Sequence, residues 1–306
     1  MFILSGMLLF SVQDVLIRMM ASEGSLVQIM VFRGLLGCLV LMAFLRLTGR
    51  PIRIGSAYPV LALIRILLFF SGFLAFYFAL SGMSLAEATS LFFVSPIFIT
   101  IISKLVFKSD VGWYRGAAIV GGFAGVLMII KPSPGQFNAI ALLPVFTALG
   151  YAIAMMIARH TRDKDTIFQQ MLQLYIGSAV FGTVAALALN LLGIDADTFP
   201  ELDYLVRSWS FDNPFLLLAM ATVAAFGSLG MLLLTSAYRV GSPPVLAPFE
   251  YSLLLLASLF GYLLFDEIPD LLSGIGMVTI VASGLFIFIR EGVRRKPLAV
   301  KTSLRT

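Results

Sequence analysis

Charge is scarce in this sequence: Asp, Glu, Lys and Arg make up only 12% of its 306 residues, against about a quarter in a soluble domain. That leaves too little polar surface to coat a water-soluble globule. Cysteine occurs once, at Cys38, so no intrachain disulfide can form. Histidine also occurs once, at His160, and no Cys/His metal cluster is available. HExxH is absent, and so is a glycine-rich phosphate loop ending in Lys-Ser/Thr; zinc-peptidase chemistry and ATP-driven pumping therefore have no motif here. Gly227-Ser228-Leu229-Gly230 has the look of a nucleophile turn, but His160 sits in the charged segment Arg159-His160-Thr161-Arg162, away from it. No enzyme activity, cofactor or metal is expected.

Apolar material is abundant instead: 60% of the chain, with mean hydropathy +1.01. A helix crossing about 30 Å of hydrocarbon needs about 20 mostly apolar residues. Segments of that kind lie at 1–20, 25–45, 59–80, 85–107, 112–131, 137–158, 167–192, 214–238, 243–265 and 270–290. The apolar start lacks a basic n-region and a small-x-small cleavage site, which favours a first helix over a signal peptide. The expected fold is all-α and integral to the membrane, with ten transmembrane helices. Lipid is then the main partner, and the net charge of +5 says little about nucleic acid.

Charge placement tests the count, because cytoplasmic loops collect Lys and Arg. With the N-terminus inside, 16 of the 21 basic residues fall on the cytoplasmic side: Arg46, Arg50, Arg53, Lys104, Lys108, Arg115, Arg159, Arg162, Lys164, Arg239, Arg290, Arg294, Arg295, Lys296, Lys301 and Arg305. The other side is acidic, with Glu87, Asp203, Asp266, Glu267 and Asp270 among its charges. Both termini are expected in the cytoplasm. In the longest outer loop, Thr198 and Glu201 have capping-box spacing and Pro200 suits a first turn. Leu202, Leu205, Val206 and Trp209 would share one face of an interfacial helix; an acidic solvated loop is the alternative.

The chain also resembles itself. A shift of 158 carries Ala79 onto Ala237 and Phe107 onto Phe265, and a shift of 159 carries Ala124-Gly125-Val126 onto Ser283-Gly284-Leu285. Five helices per copy is odd, so the second copy enters the membrane from the opposite side. Such inverted repeats hold substrate near the midplane in secondary transporters. The expected division is a first repeat at 1–132, a second at 137–291 and a basic tail at 292–306.

Polar groups at membrane depth are candidates for function. Asp14 and Arg18 have the spacing of a helical ion pair; alternatively Asp14, with Gln13, faces a central cavity. Glu250 follows Pro243, Pro244 and Pro248, and is either a proton-coupling carboxylate or a partner for Arg33 or Arg65. Arg33 and Arg65 suit a carboxylate or phosphate, although Arg65 lies close enough to the inner surface to snorkel. Pro96 and Pro248 are expected to break helices beside the cavity. Tyr151 and Tyr251 are candidates to line a pocket for a ring-bearing substrate, as are Tyr77, Tyr175 and Tyr238; a membrane-interface belt is the alternative for each. Gly112/Gly116 and Gly121/Gly125 would let one helix pack closely on a neighbour, within the chain or across a homodimer.

Several of these segments resemble the EamA-like permeases of the drug/metabolite transporter superfamily. They are Leu85-Ala86-Glu87-Ala88-Thr89, Ser95-Pro96, and GGFAGVLMIIKP from Gly121 to Pro132. In the second half they are Ala247-Pro248-Phe249-Glu250-Tyr251, Leu264-Phe265-Asp266-Glu267-Ile268-Pro269-Asp270, and Ala282-Ser283-Gly284-Leu285. The segment Phe107-Lys108-Ser109-Asp110 departs from the family, whose members usually have a Gly-Glu pair there. The resemblance implies a bacterial inner-membrane secondary transporter of small metabolites. Export of amino acids by proton coupling or exchange is the first expectation. Uptake of a nucleotide-like metabolite or vitamin, such as S-adenosylmethionine or riboflavin, is the second, and a passive channel is the alternative of another class.

Overall fold

The computed structural model describes residues 2–107, 113–131, 139–194, 196, 199–240 and 249–294. Those residues form helices and loops, with no strand among them. The first half contains α1 (Phe2–Met20), α2 (Leu26–Leu47), α3 (Pro59–Ala79), α4 (Leu85–Phe92), α5 (Ser95–Phe107) and α6 (Trp113–Ile130). The second contains α7 (Leu142–His160), α8 (Ile167–Leu191), the single turn α9 (Asp203–Val206), α10 (Pro214–Val240), α11 (Ser252–Phe265) and α12 (Leu271–Arg294). Among the described residues, seven helical segments are long and apolar enough to cross a membrane, the α4–α5 unit being one of them. Gly116–Ile130, Ser252–Phe265 and Leu271–Phe286 are shorter apolar helices. Large apolar side chains point outward along the helices, with Val120, Leu255 and Val278 about 70% exposed. A protein of this composition buries such groups in lipid.

The span expected over 85–107, with Pro96 named as a helix breaker, consists of two helices. Ser84 caps α4 by accepting the Glu87 N–H at 3.2 Å, and α4 ends after two turns at Phe93 and Val94. Pro96 explains the break. It has no N–H for the Phe92 carbonyl, its ring would crowd that carbonyl, and it disfavours helical geometry at Ser95. It is tolerated in the first turn of α5. The break is internal: Phe93 and Val94 are both buried. Pro248 lies outside the described residues.

The helices pair across the two halves. α1 packs on α10, α3 on α7, α2 on α8 and α6 on α12, with α4 meeting α11. The α6–α12 crossing, like that of α2 on α8 at Gly34, is close in backbone terms. A Cβ on Gly125 would come within 2.7 Å of the Gly276 carbonyl, and one on Gly276 within 2.7 Å of the Gly125 carbonyl. The Gly121/Gly125 stripe is thus used inside the chain, whereas a Cβ on Gly116 would meet open space and Gly112 lies outside the described residues.

Polar contacts gather at the two ends of the bundle. At one end Arg18 forms an ion pair with Glu267 and donates to the Met83 carbonyl at 2.9 Å. Glu267 also accepts the Leu85 N–H at 3.0 Å, and Lys131 pairs with Asp270. Asp14 therefore does not pair with Arg18, as the four-residue spacing led us to expect. Arg18 reaches a carboxylate from the other half, at the start of the α11–α12 loop. Burial pushes the Glu267 carboxyl above its ordinary range, and Glu87 adds to the rise; the Leu85 N–H and Arg18 pull the other way. At the same end the segment expected to be an interfacial helix is a 3-10 turn, Pro200–Leu202, followed by α9. It is tied to the bundle rather than laid on its surface. Tyr204 is buried and donates to the Ile17 carbonyl at 3.3 Å, and Ser25 donates to the Leu205 carbonyl at 3.2 Å. Thr198, its expected cap, lies outside the described residues.

At the opposite end the α2–α3 loop docks on α8. Asp165 accepts from Ser56 and from the Ala57 N–H (3.1 Å), and Gln169 donates to the Gly55 carbonyl. Thr166 and Gln169 form a complete capping box at the start of α8.

Candidate functional site

Arg65 belongs to this docking end. It is 3% exposed and donates to Gln173 Oε1 at 2.7 Å and to the Gln170 carbonyl at 3.2 Å, with the Asp165 charge nearby. Gln173 in turn donates to the Ile54 carbonyl at 2.9 Å. Arg65 therefore does not snorkel, and it binds α3 to α8. The sequence places it near a helix end but does not show that α8 covers it.

A different polar group occupies the bundle interior. Asp14 and Gln13 project from α1 to Tyr77 on α3, and all three are buried. Gln13 Nε2 donates to the Tyr77 hydroxyl at 2.7 Å, and that hydroxyl donates to Asp14 Oδ1 at 3.2 Å. Arg33, on α2, supplies positive charge to this group. Its guanidinium lies 4.1 Å from the centroid of the Phe73 ring, within range for a cation–π contact. Gln13 Oε1 and Arg33 Nε are buried without a hydrogen-bond partner in this conformation. Gly227 on α10 approaches both, and a Cβ there would overlap the Gln13 oxygen. The interior thus holds one carboxylate, one guanidinium and an amide whose bonding capacity is only partly used.

Aromatic rings continue from this group in a closed circuit. Tyr77 stacks on Phe73 (6.0 Å between centroids) and Phe73 on Phe69 (5.9 Å). Phe69 meets Tyr151 edge-on at 5.9 Å, and Tyr151 meets Phe92 at 5.2 Å. Phe92 returns through Phe76 (6.0 Å) to Tyr77 (5.5 Å). Three helices supply the six rings: α3, α4 and α7. Phe69, Phe73 and Tyr77 stand four apart along α3 and so share a face, a signal that sequence reading missed. Glu250 is half-buried, and its charge acts on both the Tyr151 and Tyr251 hydroxyls. The structure therefore brings together Asp14, Arg33 and, through the ring circuit, Tyr151, while Arg65 stands apart. Tyr77, for which an interface belt was one reading, is at the centre.

Apolar helices turned outward around a buried polar interior lined by aromatic rings mark a multi-pass membrane protein. Comparison with known proteins agrees. Residues 1–131 match the EamA-like transporter family. Over 92% of its length the chain is 23% identical to an S-adenosylmethionine uptake transporter of Rickettsia prowazekii, covering 89% of that protein. It is 28% identical to a riboflavin transporter of Vibrio cholerae over 66% of this chain and 61% of that one. A crystal structure 14% identical in sequence superposes with TM-score 0.62 over 96% of this chain and 97% of the other, a likeness of fold. The family match, which lies in residues 1–131, and the named relatives indicate a transporter and not an enzyme.

Proposed function

We propose that this protein is an uptake carrier for a small metabolite bearing a flat ring and a positive charge, of the S-adenosylmethionine type. The observation that carries the proposal is the circuit of six aromatic rings bordered by Asp14 and Arg33. Aromatic faces suit both a planar heterocycle and a sulfonium cation. Asp14, with Glu250 toward the far side, matches positive charge, and Arg33 matches an amino-acid carboxylate. The Rickettsia relative's substrate has all of these features. Export of amino acids, favoured by resemblance alone, has no counterpart among the named relatives, and uptake replaces it. Riboflavin is the second reading, supported by the Vibrio relative; its neutral ring system would use the aromatic circuit without needing Asp14.

The architecture we propose is ten spans in two inverted halves, 1–132 and 137–291, with the α4–α5 unit as one span. The helix pairing supports it. Replacing each helix by its counterpart in the other half turns α1–α10 into α7–α3, and leaves α2–α8, α6–α12 and α4–α11 as they are. The basic loops and tail then lie in the cytoplasm of a bacterial inner-membrane protein, and Pro96 and Pro248 occupy corresponding spans. Asp14 is the coupling carboxylate in this scheme, because it is the acid inside the polar cluster. Glu250 is a second charge lining the route.

The test is uptake of labelled S-adenosylmethionine and of labelled riboflavin by proteoliposomes. Saturable uptake of the first, inhibited by S-adenosylhomocysteine-like compounds, supports the proposal. Saturable uptake of riboflavin alone favours the second reading, and uptake of neither removes both.

A further inference from the structure

The offset of 158 that carries Phe107 onto Phe265 also carries Phe93 onto Tyr251. Phe93 sits at the break between α4 and α5, and Tyr251 at the turn opening α11. Their rings stack at 4.7 Å between centroids with 25° between planes, and both residues are 6% exposed. Phe93 also touches Phe92, at 6.2 Å, so the stack adjoins the ring circuit. One atom in this arrangement is unspent. The Tyr251 hydroxyl is buried with no hydrogen-bond partner, although a buried phenol ordinarily has one. It packs on the backbone of Gly284 in α12, where a Cβ would overlap it.

We infer that Tyr251 is a specificity-determining residue. The break between α4 and α5 and the turn that opens α11 meet at this stack, so movement of one half against the other separates the rings. A planar substrate ring then enters beside Phe93, and the Tyr251 hydroxyl hydrogen-bonds a nitrogen or carbonyl on its edge. Ring stacking accepts any planar heterocycle, whereas the hydroxyl selects those with a polar edge. The inference rests on the ring-bearing substrate proposed above.

Tyr251→Phe isolates the hydroxyl, because it keeps the ring. For labelled S-adenosylmethionine in proteoliposomes, KM should rise roughly three- to tenfold with kcat little changed, the worth of one neutral hydrogen bond. Thermal stability of the empty protein should be unchanged or higher, since the lost hydroxyl had no partner to leave behind. A purely structural role predicts the reverse, lower stability with an unaltered KM. Gly284→Ala gives a second arm: it should impair folding or uptake alone and be partly rescued in the Tyr251→Phe background, where the overlapping oxygen is gone but the ring Cζ still lies 3.0 Å from the added Cβ. Wild-type uptake together with an unchanged KM in Tyr251→Phe overturns the inference and leaves the ring-bearing reading standing. A wild-type protein that takes up neither S-adenosylmethionine nor riboflavin overturns that reading and the inference with it.

Discussion

Replacing Glu267 by Gln tests how firmly the two halves are joined at the end that carries Arg18. The amide keeps an oxygen for the Leu85 N–H and removes only the charge facing Arg18. The two side chains are 16% and 14% exposed. The pair therefore falls between exposed ion pairs, worth at most about 1 kcal/mol, and fully buried ones, whose breakage costs about 3–5 kcal/mol. Arg18 retains the Met83 carbonyl and lies 4.7 Å from the centroid of the Phe265 ring, so it is not stranded. Because the folded protein holds the Glu267 proton more tightly than the unfolded chain does, removing the charge should change stability little by itself, and the coupling to Arg18 is the quantity to read. Unfolding of the purified protein, run as a double-mutant cycle with Arg18→Gln, should give a coupling of about 1–2 kcal/mol. Single losses that add within about 0.5 kcal/mol would refute the pairing as an energetic link. The pH dependence has a definite sign. The folded protein holds the Glu267 proton more tightly than the unfolded chain does, so this group favours the folded form below the ordinary value of 4.5, and that contribution is lost as pH rises through the raised folded value. Glu267→Gln should flatten this part of the stability–pH curve.

Further expectations follow from the interior. Asp14→Asn keeps an acceptor for Tyr77, so the protein should fold, while uptake of S-adenosylmethionine in proteoliposomes falls about 10- to 100-fold, the worth of a hydrogen bond to a charged group. Arg65→Met leaves Gln173 Oε1 and the Gln170 carbonyl without their donor; unfolding should show a loss of about 1–3 kcal/mol, with KM unchanged in the molecules that fold. Gly125→Val places side-chain atoms against the Gly276 carbonyl, and thermal unfolding should reveal overpacking of about 1–3 kcal/mol or more.

Much of the helical fold was legible because hydrocarbon thickness fixes helix length, and because Pro96 marks a break wherever it stands in a span. Depth was legible too: Asp14 and Arg33 stand out in apolar runs. Facing was not. In a soluble helix the buried face is the apolar one, but here lipid is as apolar as the core. On α3, Leu63 and Leu67 are exposed whereas Phe76 is buried, and hydropathy ranks all three as strongly apolar. That is why the ring circuit went unseen and Tyr77 could be read as part of an interface belt. Partner choice failed for a related reason. Spacing along α1 offered Asp14 to Arg18, but the fold brings Glu267 from the far half, and no local pattern encodes that meeting. Arg65 was misjudged because its cover comes from α8, more than 100 residues away along the chain.

The proposed carrier has an interior site that faces the two sides of the membrane in turn. Counterflow tests it directly: proteoliposomes loaded with unlabelled S-adenosylmethionine are diluted into labelled S-adenosylmethionine, with no ion gradient. A transient overshoot of label above its equilibrium level is predicted, because exchange on one alternating site is faster than net flux. Entry that never overshoots and rises linearly with concentration would contradict alternating access and indicate a pore.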